Sequence, residues 1–104
     1  MGSGVAIPIT IQVFKGGSVA RTEKLNLEQI KIGKIASNSL QLDDESVSRM
    51  HAMIEVSPTK EVVLTDLGST KGTFVNGQKI TKQKLKPGDE VRIGDVKLMV
   101  NFEA

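Results

Sequence analysis

Residues 52–66 read AMIEVSPTKEVVLTD, and their spacing decides the fold class. Ala52, Ile54 and Val56 fall on one side of an extended chain, with polar or half-polar residues between them. A two-residue apolar period is the mark of a half-buried strand, whereas a helix repeats near 3.6. Ser57-Pro58-Thr59-Lys60 then supplies turn chemistry, and Val62–Asp66 offers a second strand. The same period recurs outward from this hairpin. Ile7, Ile9, Ile11 and Val13 share a face near the start, ahead of a Lys15-Gly16-Gly17 turn, and Val96, Leu98, Val100 and Phe102 share one near the end. Shorter strand candidates are Val19–Leu25, Gln29–Ile32, Leu40–Leu42, Thr73–Val75 and Glu90–Ile93. Asn76-Gly77, Pro87-Gly88-Asp89 and Gly94-Asp95 punctuate them. No window of about eleven residues carries a helical apolar stripe. The chain reads as all-β, an antiparallel sandwich or barrel.

Length and composition narrow the rest. At 104 residues with 38% hydrophobic content, the chain holds one domain and one core. Met1-Gly2-Ser3-Gly4 reads as a flexible start or expression remnant, which leaves residues 5–104 for the domain. The chain contains no cysteine, so disulfides and thiolate metal sites are excluded. No apolar run reaches the roughly 18–20 residues that span a membrane, and no charged n-region followed by an apolar signal core is seen. A cytoplasmic location without membrane association is expected. Fourteen Lys+Arg against twelve Asp+Glu leave a net charge of +2, with three Phe and neither Trp nor Tyr. That balance gives no support to a nucleic-acid partner and tolerates an acidic peptide.

Two loops differ from ordinary turns: GKIASNSLQLDDESVSRMH at 33–51 and LGSTKGTFVNG at 67–77. Both concentrate glycine, hydroxyls and cations, the chemistry of a phosphate receptor. A phosphate monoester carries about −1.5 to −2 charge at neutral pH and three strong acceptor oxygens. By composition alone, such loops are more often solvated turns than anion sites.

Order and spacing add specificity. Gly33-Lys34, then Ser48-Arg49-Met50-His51, then Asp66-Leu67-Gly68-Ser69-Thr70-Lys71-Gly72-Thr73, then Asn76-Gly77 resemble the forkhead-associated (FHA) domain pattern of Gly-Arg, Ser-x-x-His, Ser-x-Asn-Gly-Thr and Asn-Gly. Asn38–Leu42 and Leu85–Gly94 resemble the family too, so the likeness spans residues 7 to 102. It implies an eleven-stranded antiparallel β-sandwich, SMAD/FHA-like, that binds phosphothreonine peptides at the loops of one end. It also implies a partner that is a phosphorylated protein, such as a Ser/Thr kinase or a kinase substrate, and a monomeric module or a part of a larger protein.

Carried over by position, the resemblance assigns peptide contact to Lys34, phosphate contact to Ser48 and Arg49, and further contacts to Ser69, Thr70 and Lys71. Gly33, His51, Gly72, Asn76 and Gly77 become loop-scaffolding positions. Two positions depart from the pattern. Lys34 stands for the family's Arg, exchanging a planar fork for a point charge. Lys71 stands for its Asn, exchanging a donor-acceptor pair for a donor alone. These changes keep a second reading open, a phosphate-independent interaction or self-association module on the same fold.

The single histidine, His51, offers no metal cluster and no nucleophile-base pair, so no enzyme, metal or other cofactor is expected. Asp43-Asp44-Glu45 reads as a solvated acidic face that selects or repels basic partner residues at most. Lys79, Lys82, Lys84 and Lys86 read as the charged outer face of a hairpin that discourages edge pairing. Met50 and Met53 read as packing residues.

Overall fold

The computed structural model describes residues 6–103 and shows no helix among them; the Met1–Gly4 start lies outside the described residues. The strands are β1 (Ile9–Lys15), β2 (Ser18–Leu25), β3 (Gln29–Gly33), β4 (Leu40–Gln41), β5 (Ala52–Val56), β6 (Val62–Asp66), β7 (Thr73–Val75), β8 (Gln78–Ile80), β9 (Lys82–Lys84), β10 (Asp89–Ile93) and β11 (Val96–Phe102). They form a six-stranded sheet in the order β2-β1-β11-β10-β7-β8 and a five-stranded sheet in the order β4-β3-β5-β6-β9. The two sheets make a sandwich, and the barrel alternative falls away.

The alternation in the sequence becomes the core. Ile9, Ile11 and Val13 of β1 meet Leu98 and Val100 of β11 on the inner face of one sheet. Ile30, Ile32, Ala52, Ile54 and Leu64 do the same on the other, with Ile54 directly opposite Leu64. Burying one such side chain contributes about 1.5–3 kcal/mol relative to leaving it in water. Leu42 and Val47 belong to the β4–β5 loop but are buried in the same core. That loop is therefore pinned at two points along its length.

Four expectations need correcting. The first strand begins at Ile9; Ile7 only packs against the core from outside the strand. The sheets are not wholly antiparallel, because β3 and β4 pair in parallel over Ile32↔Leu40 and Gly33↔Gln41. A tight run of bends between Gly33 and Leu40 brings β4 back alongside β3 in the same direction. The lysine series does not share a hairpin: Lys79 lies on β8, whereas Lys82 and Lys84 lie on β9 in the opposite sheet. β8 and β9 are both edge strands with almost no buried residues, which is why periodicity did not reveal them. Their lysines do sit where they oppose edge-to-edge association. Finally, Met50 is 47% exposed instead of packed, because the chain bends outward at Arg49-Met50 before His51 enters the core.

Asn76 and Gly77 close the β7–β8 hairpin with φ of 49° and 88°. Two successive left-handed residues match the twist of paired strands, and Asn-Gly tolerates them best. The side chain of Asn76 reaches Asp89 and the Glu90 N–H at 3.0 Å each, fixing this turn to β10.

The tightest test of the core is Ile54, which has no exposed surface. Ile54→Ala should cost about 2–5 kcal/mol of unfolding free energy, read as a lowered urea midpoint with an unchanged slope.

Candidate functional site

Three loops converge at the end of the sandwich where β3 and β6 finish and β5 and β7 begin. They are β3–β4 (34–39), β4–β5 (42–51) and β6–β7 (67–72). The Lys34 N–H donates to the Ser48 carbonyl at 3.0 Å, joining the first to the second. The Thr70 N–H donates to Ser48 Oγ at 3.2 Å, joining the second to the third. Lys34, Ser48 and Thr70 are thus brought together at one end from positions far apart in the chain.

Beneath them sits His51, with no exposed surface. Its Nδ1 accepts the Ser48 N–H at 3.1 Å, and its Nε2 lies 2.9 Å from the Gly72 carbonyl. A backbone N–H only donates and a carbonyl only accepts, so the ring is the neutral tautomer protonated on Nε2. One imidazole therefore holds the hydroxyl-bearing loop and the glycine-bearing loop at a fixed separation. The Gly72 carbonyl also accepts from the Gly94 N–H at 3.1 Å, which ties in the β10–β11 turn.

Each loop has its own frame. In β6–β7, the Asp66 carboxylate accepts from the N–H groups of Gly68 and Ser69 at 3.0 and 3.1 Å and from the hydroxyls of Ser69 and Thr73 at 2.5 and 2.7 Å. Partial burial pushes the Asp66 pKa up, but the hydrogen bonds from Ser69, Thr73 and Gly68 outweigh it and leave the carboxyl below its ordinary value of 3.8. The Ser69 hydroxyl also receives the Gly72 N–H at 2.9 Å. It is committed within the loop, whereas the Ser48 hydroxyl accepts from Thr70 and retains its own proton for an outside acceptor.

In β3–β4, buried Asn38 donates through Nδ2 to the carbonyls of Ile35 and Arg49 at 2.8 Å each. Gly33 makes this approach possible: a Cβ there would lie 2.1 Å from the Arg49 carbonyl oxygen. In β4–β5, the buried Ser46 hydroxyl donates to Asp44 at 2.7 Å and accepts from the Asp95 N–H at 2.8 Å. Its bonds from hydroxyl and N–H, with the charges of Lys15 and Lys34 nearby, hold the Asp44 carboxyl below its ordinary value.

The charges lie above this frame. Arg49 and Lys71 are exposed and Lys34 is half-buried, and none of the three forms an ion pair among the described residues. Lys71 borders a cleft of about 530 Å³ shared with Asp44, Glu45, Ser46 and Asp95. Ile35, Met50 and Leu67 are exposed apolar side chains on the same three loops. Asn76 and Gly77 stand apart from this cluster, at the other end of β7. Asp66, Asn38 and Ser46 are organising residues that sequence reading did not single out. Asp66 and Asn38 did stand within stretches that resemble the family, but the resemblance gave neither a role, and Ser46 showed only as a short polar side chain in a polar loop.

The FHA domain profile matches residues 30–94, well over half of the chain. The chain belongs to the FHA domain family. Among curated relatives, this FHA domain is 37% identical over 87 residues to the glycogen accumulation regulator GarA of Mycolicibacterium smegmatis, covering 84% of this chain and 54% of that one. It is also 37% identical over 67 residues to the oxoglutarate dehydrogenase inhibitor of Corynebacterium efficiens, covering 64% and 46%. The chain thus spans about half the length of the curated relatives it matches. Among solved structures, an FHA domain described for phosphothreonine-dependent interactions superposes with a TM-score of 0.82 at 31% identity, covering 93% of this chain and 98% of that one. The FhaA FHA domain, solved in complex with the intracellular domain of Rv3910, gives 0.79 at 32% identity over 89% and 99%.

The Asp66 frame carries a pH signature. A carboxyl whose folded pKa is depressed adds stability above its unfolded pKa and loses it as pH falls through the folded value. Wild type should therefore exceed Asp66→Asn in melting temperature above about pH 5. The gap should narrow below about pH 4, in thermal melts across that range.

Proposed function

We propose that this FHA domain is a phosphothreonine-reading adaptor without catalytic activity, working in the cytoplasm on a phosphorylated protein such as a kinase or a kinase substrate. Residues 5–104 form the recognition unit. The observation that carries the reading is the junction of Ser48 with Thr70 above the buried His51 bridge. It holds a hydroxyl with a free proton beside three unpaired cations, and a dianion is the ligand that best satisfies such a set.

In this reading Ser48 donates to one phosphate oxygen, and Arg49 and Lys34 approach others as charged donors. Thr70 closes the pocket and Lys71 meets the peptide beyond the phosphorylated residue. Ser69 contributes by stiffening the loop, since its hydroxyl already serves Asp66 and Gly72. Ile35, Met50 and Leu67 supply apolar surface for residues that flank the phosphate. The relatives support the reading: one similar FHA domain is described by its phosphothreonine-dependent interactions, and two others are named as a glycogen accumulation regulator and an oxoglutarate dehydrogenase inhibitor.

A charge-assisted hydrogen bond contributes roughly 1.5–3 kcal/mol. Ordering an extended peptide and desolvating the phosphate offset much of the sum. The expected affinity is on the order of 1–100 μM, or about −8 to −5.5 kcal/mol.

One observation favours a second reading, in which the fold serves phosphate-independent association. Lys71 shares its cleft with three carboxylates, a mixed-charge surface that does not single out a phosphate. Matched phosphorylated and unphosphorylated peptides distinguish the two. The first reading expects a gap of at least about thirtyfold, equivalent to one charge-assisted hydrogen bond of roughly 2 kcal/mol; equal affinities would establish the second.

Ser48→Ala and Arg49→Ala should each weaken phosphothreonine-peptide binding more than about tenfold while both variants keep a cooperative urea transition. Normal binding by both folded variants would place the phosphate elsewhere. Lys34→Arg should strengthen binding a few-fold by restoring a two-pronged donor, measured by fluorescence anisotropy on the same peptide.

A further inference from the structure

The outer face of the six-stranded sheet carries a feature that the loops do not explain. One row of side chains crosses five neighbouring strands: Phe14 of β1, Lys97 of β11, Arg92 of β10, Phe74 of β7 and Lys79 of β8. The pairings Lys97↔Arg92, Arg92↔Phe74 and Phe74↔Lys79 are each directly opposed. Val13 opposite Leu98 places Phe14 beside Lys97 in the same row, and Val19 of β2, opposite Phe14 and 46% exposed, extends it.

Within the row, each aromatic ring is capped by a cation. Arg92 lies 4.2 Å from the centroid of Phe74, and Lys97 lies 4.8 Å from that of Phe14. Such stacking fixes long side chains that would otherwise sample many rotamers, and it leaves their N–H groups directed outward. The row itself contains no carboxylate. Glu90, one step down β10, reaches Lys97 only at 3.8 Å, and Arg92 and Lys79 have no ion-pair partner among the described residues.

The row also touches the loop site. A Cβ placed on Gly72 would lie 3.1 Å from Lys79 Cε and 3.2 Å from Phe74 Cε1. The same Gly72 carries the carbonyl that His51 holds. The cationic row therefore begins at the β6–β7 loop and runs away from it across the sheet. At roughly 4.8 Å per strand, the six strands span about 24 Å, the length of about seven extended residues.

We propose that this row is a second docking surface, which binds an acidic segment of the same phosphorylated partner held at Ser48. The inference rests on the phosphate-site reading for its anchor and adds the chemistry of the partner beyond the phosphorylated residue. Acidic protein fits better than nucleic acid. The two Phe faces are already covered by the domain's own cations, leaving no platform for base stacking.

The test uses a phosphothreonine peptide chosen from a degenerate library, in three forms. One is unextended, one has about ten Glu/Asp-rich residues added, and one has a Gly/Ser extension of equal length. Extensions are made at either end, since the row fixes no chain direction. At low salt, the acidic extension should strengthen binding about five- to tenfold, the combined size of a few surface ion pairs. The gain should shrink as salt rises.

Lys79→Gln/Arg92→Gln/Lys97→Gln should lose that gain and bind the unextended peptide within about twofold of wild type. Lys31→Gln/Lys82→Gln, which removes charge from the other sheet, should keep it. A gain that is missing in wild type, or lost equally in the control, overturns the second surface. Loss of unextended-peptide binding in the row variant does so as well, by merging the row with the phosphate site. If wild type does not bind the unextended peptide, the phosphate-site reading fails and takes this inference with it. Row-dependent binding of a short DNA duplex, or row-dependent self-association in sedimentation, would reassign the surface to those partners.

Discussion

Two hydrogen bonds made by one buried imidazole determine how the loop end of this domain is built. His51 lies under the loops with no contact to water, and its two nitrogens face groups of opposite kind. The ring accepts from one loop and donates to another, which only the neutral form does. Removing it would leave the Ser48 N–H without its acceptor, at about 1–3 kcal/mol, and strip the Gly72 carbonyl of one of its two donors. The spacing between Ser48 and the β6–β7 loop follows from that bridge, and so does the meeting of Ser48 with Thr70.

Around the bridge, each loop is stiffened by a short polar side chain bonded to the backbone: Asp66 in one, Asn38 in another, Ser46 in a third. Short side chains lose little entropy when ordered, and here they replace the strand ladders that loops lack. The result is a hydrogen-bonded polar base beneath charges that form no ion pair among the described residues. In the proposed reading, Lys34, Arg49 and Lys71 supply attraction, whereas Ser48 supplies position. Such a division suits reversible recognition, because the protein frame is ordered before binding and only the peptide and a few long side chains are immobilised.

Much of the fold was legible because burial enforces a two-residue period wherever one strand face meets the core. β5, β6, β1 and β11 show it plainly, and their sequences displayed it. β8 and β9 escaped notice because edge strands with exposed lysines bury almost nothing and leave no periodic trace. The parallel pairing of β3 with β4 was equally silent, since strand direction depends on the path of the intervening loop. At the loops, the spaced motifs marked Lys34, Ser48, Arg49, Thr70 and Lys71 as candidates. They did not reveal that the Ser69 hydroxyl turns inward to Asp66, or that Met50 turns outward to solvent.

The amino-acid sequence by itself determined the strand-rich class, the glycine and hydroxyl content of the loops, and the family to which the chain belongs. These follow from local properties: side-chain polarity, backbone freedom and residue order. Only the tertiary structure decided which donors converge, which hydroxyl stays free, and which cations line up across one sheet. Those outcomes depend on register between strands distant in the chain. A register is fixed by the packing of the whole core, so no single segment contains it.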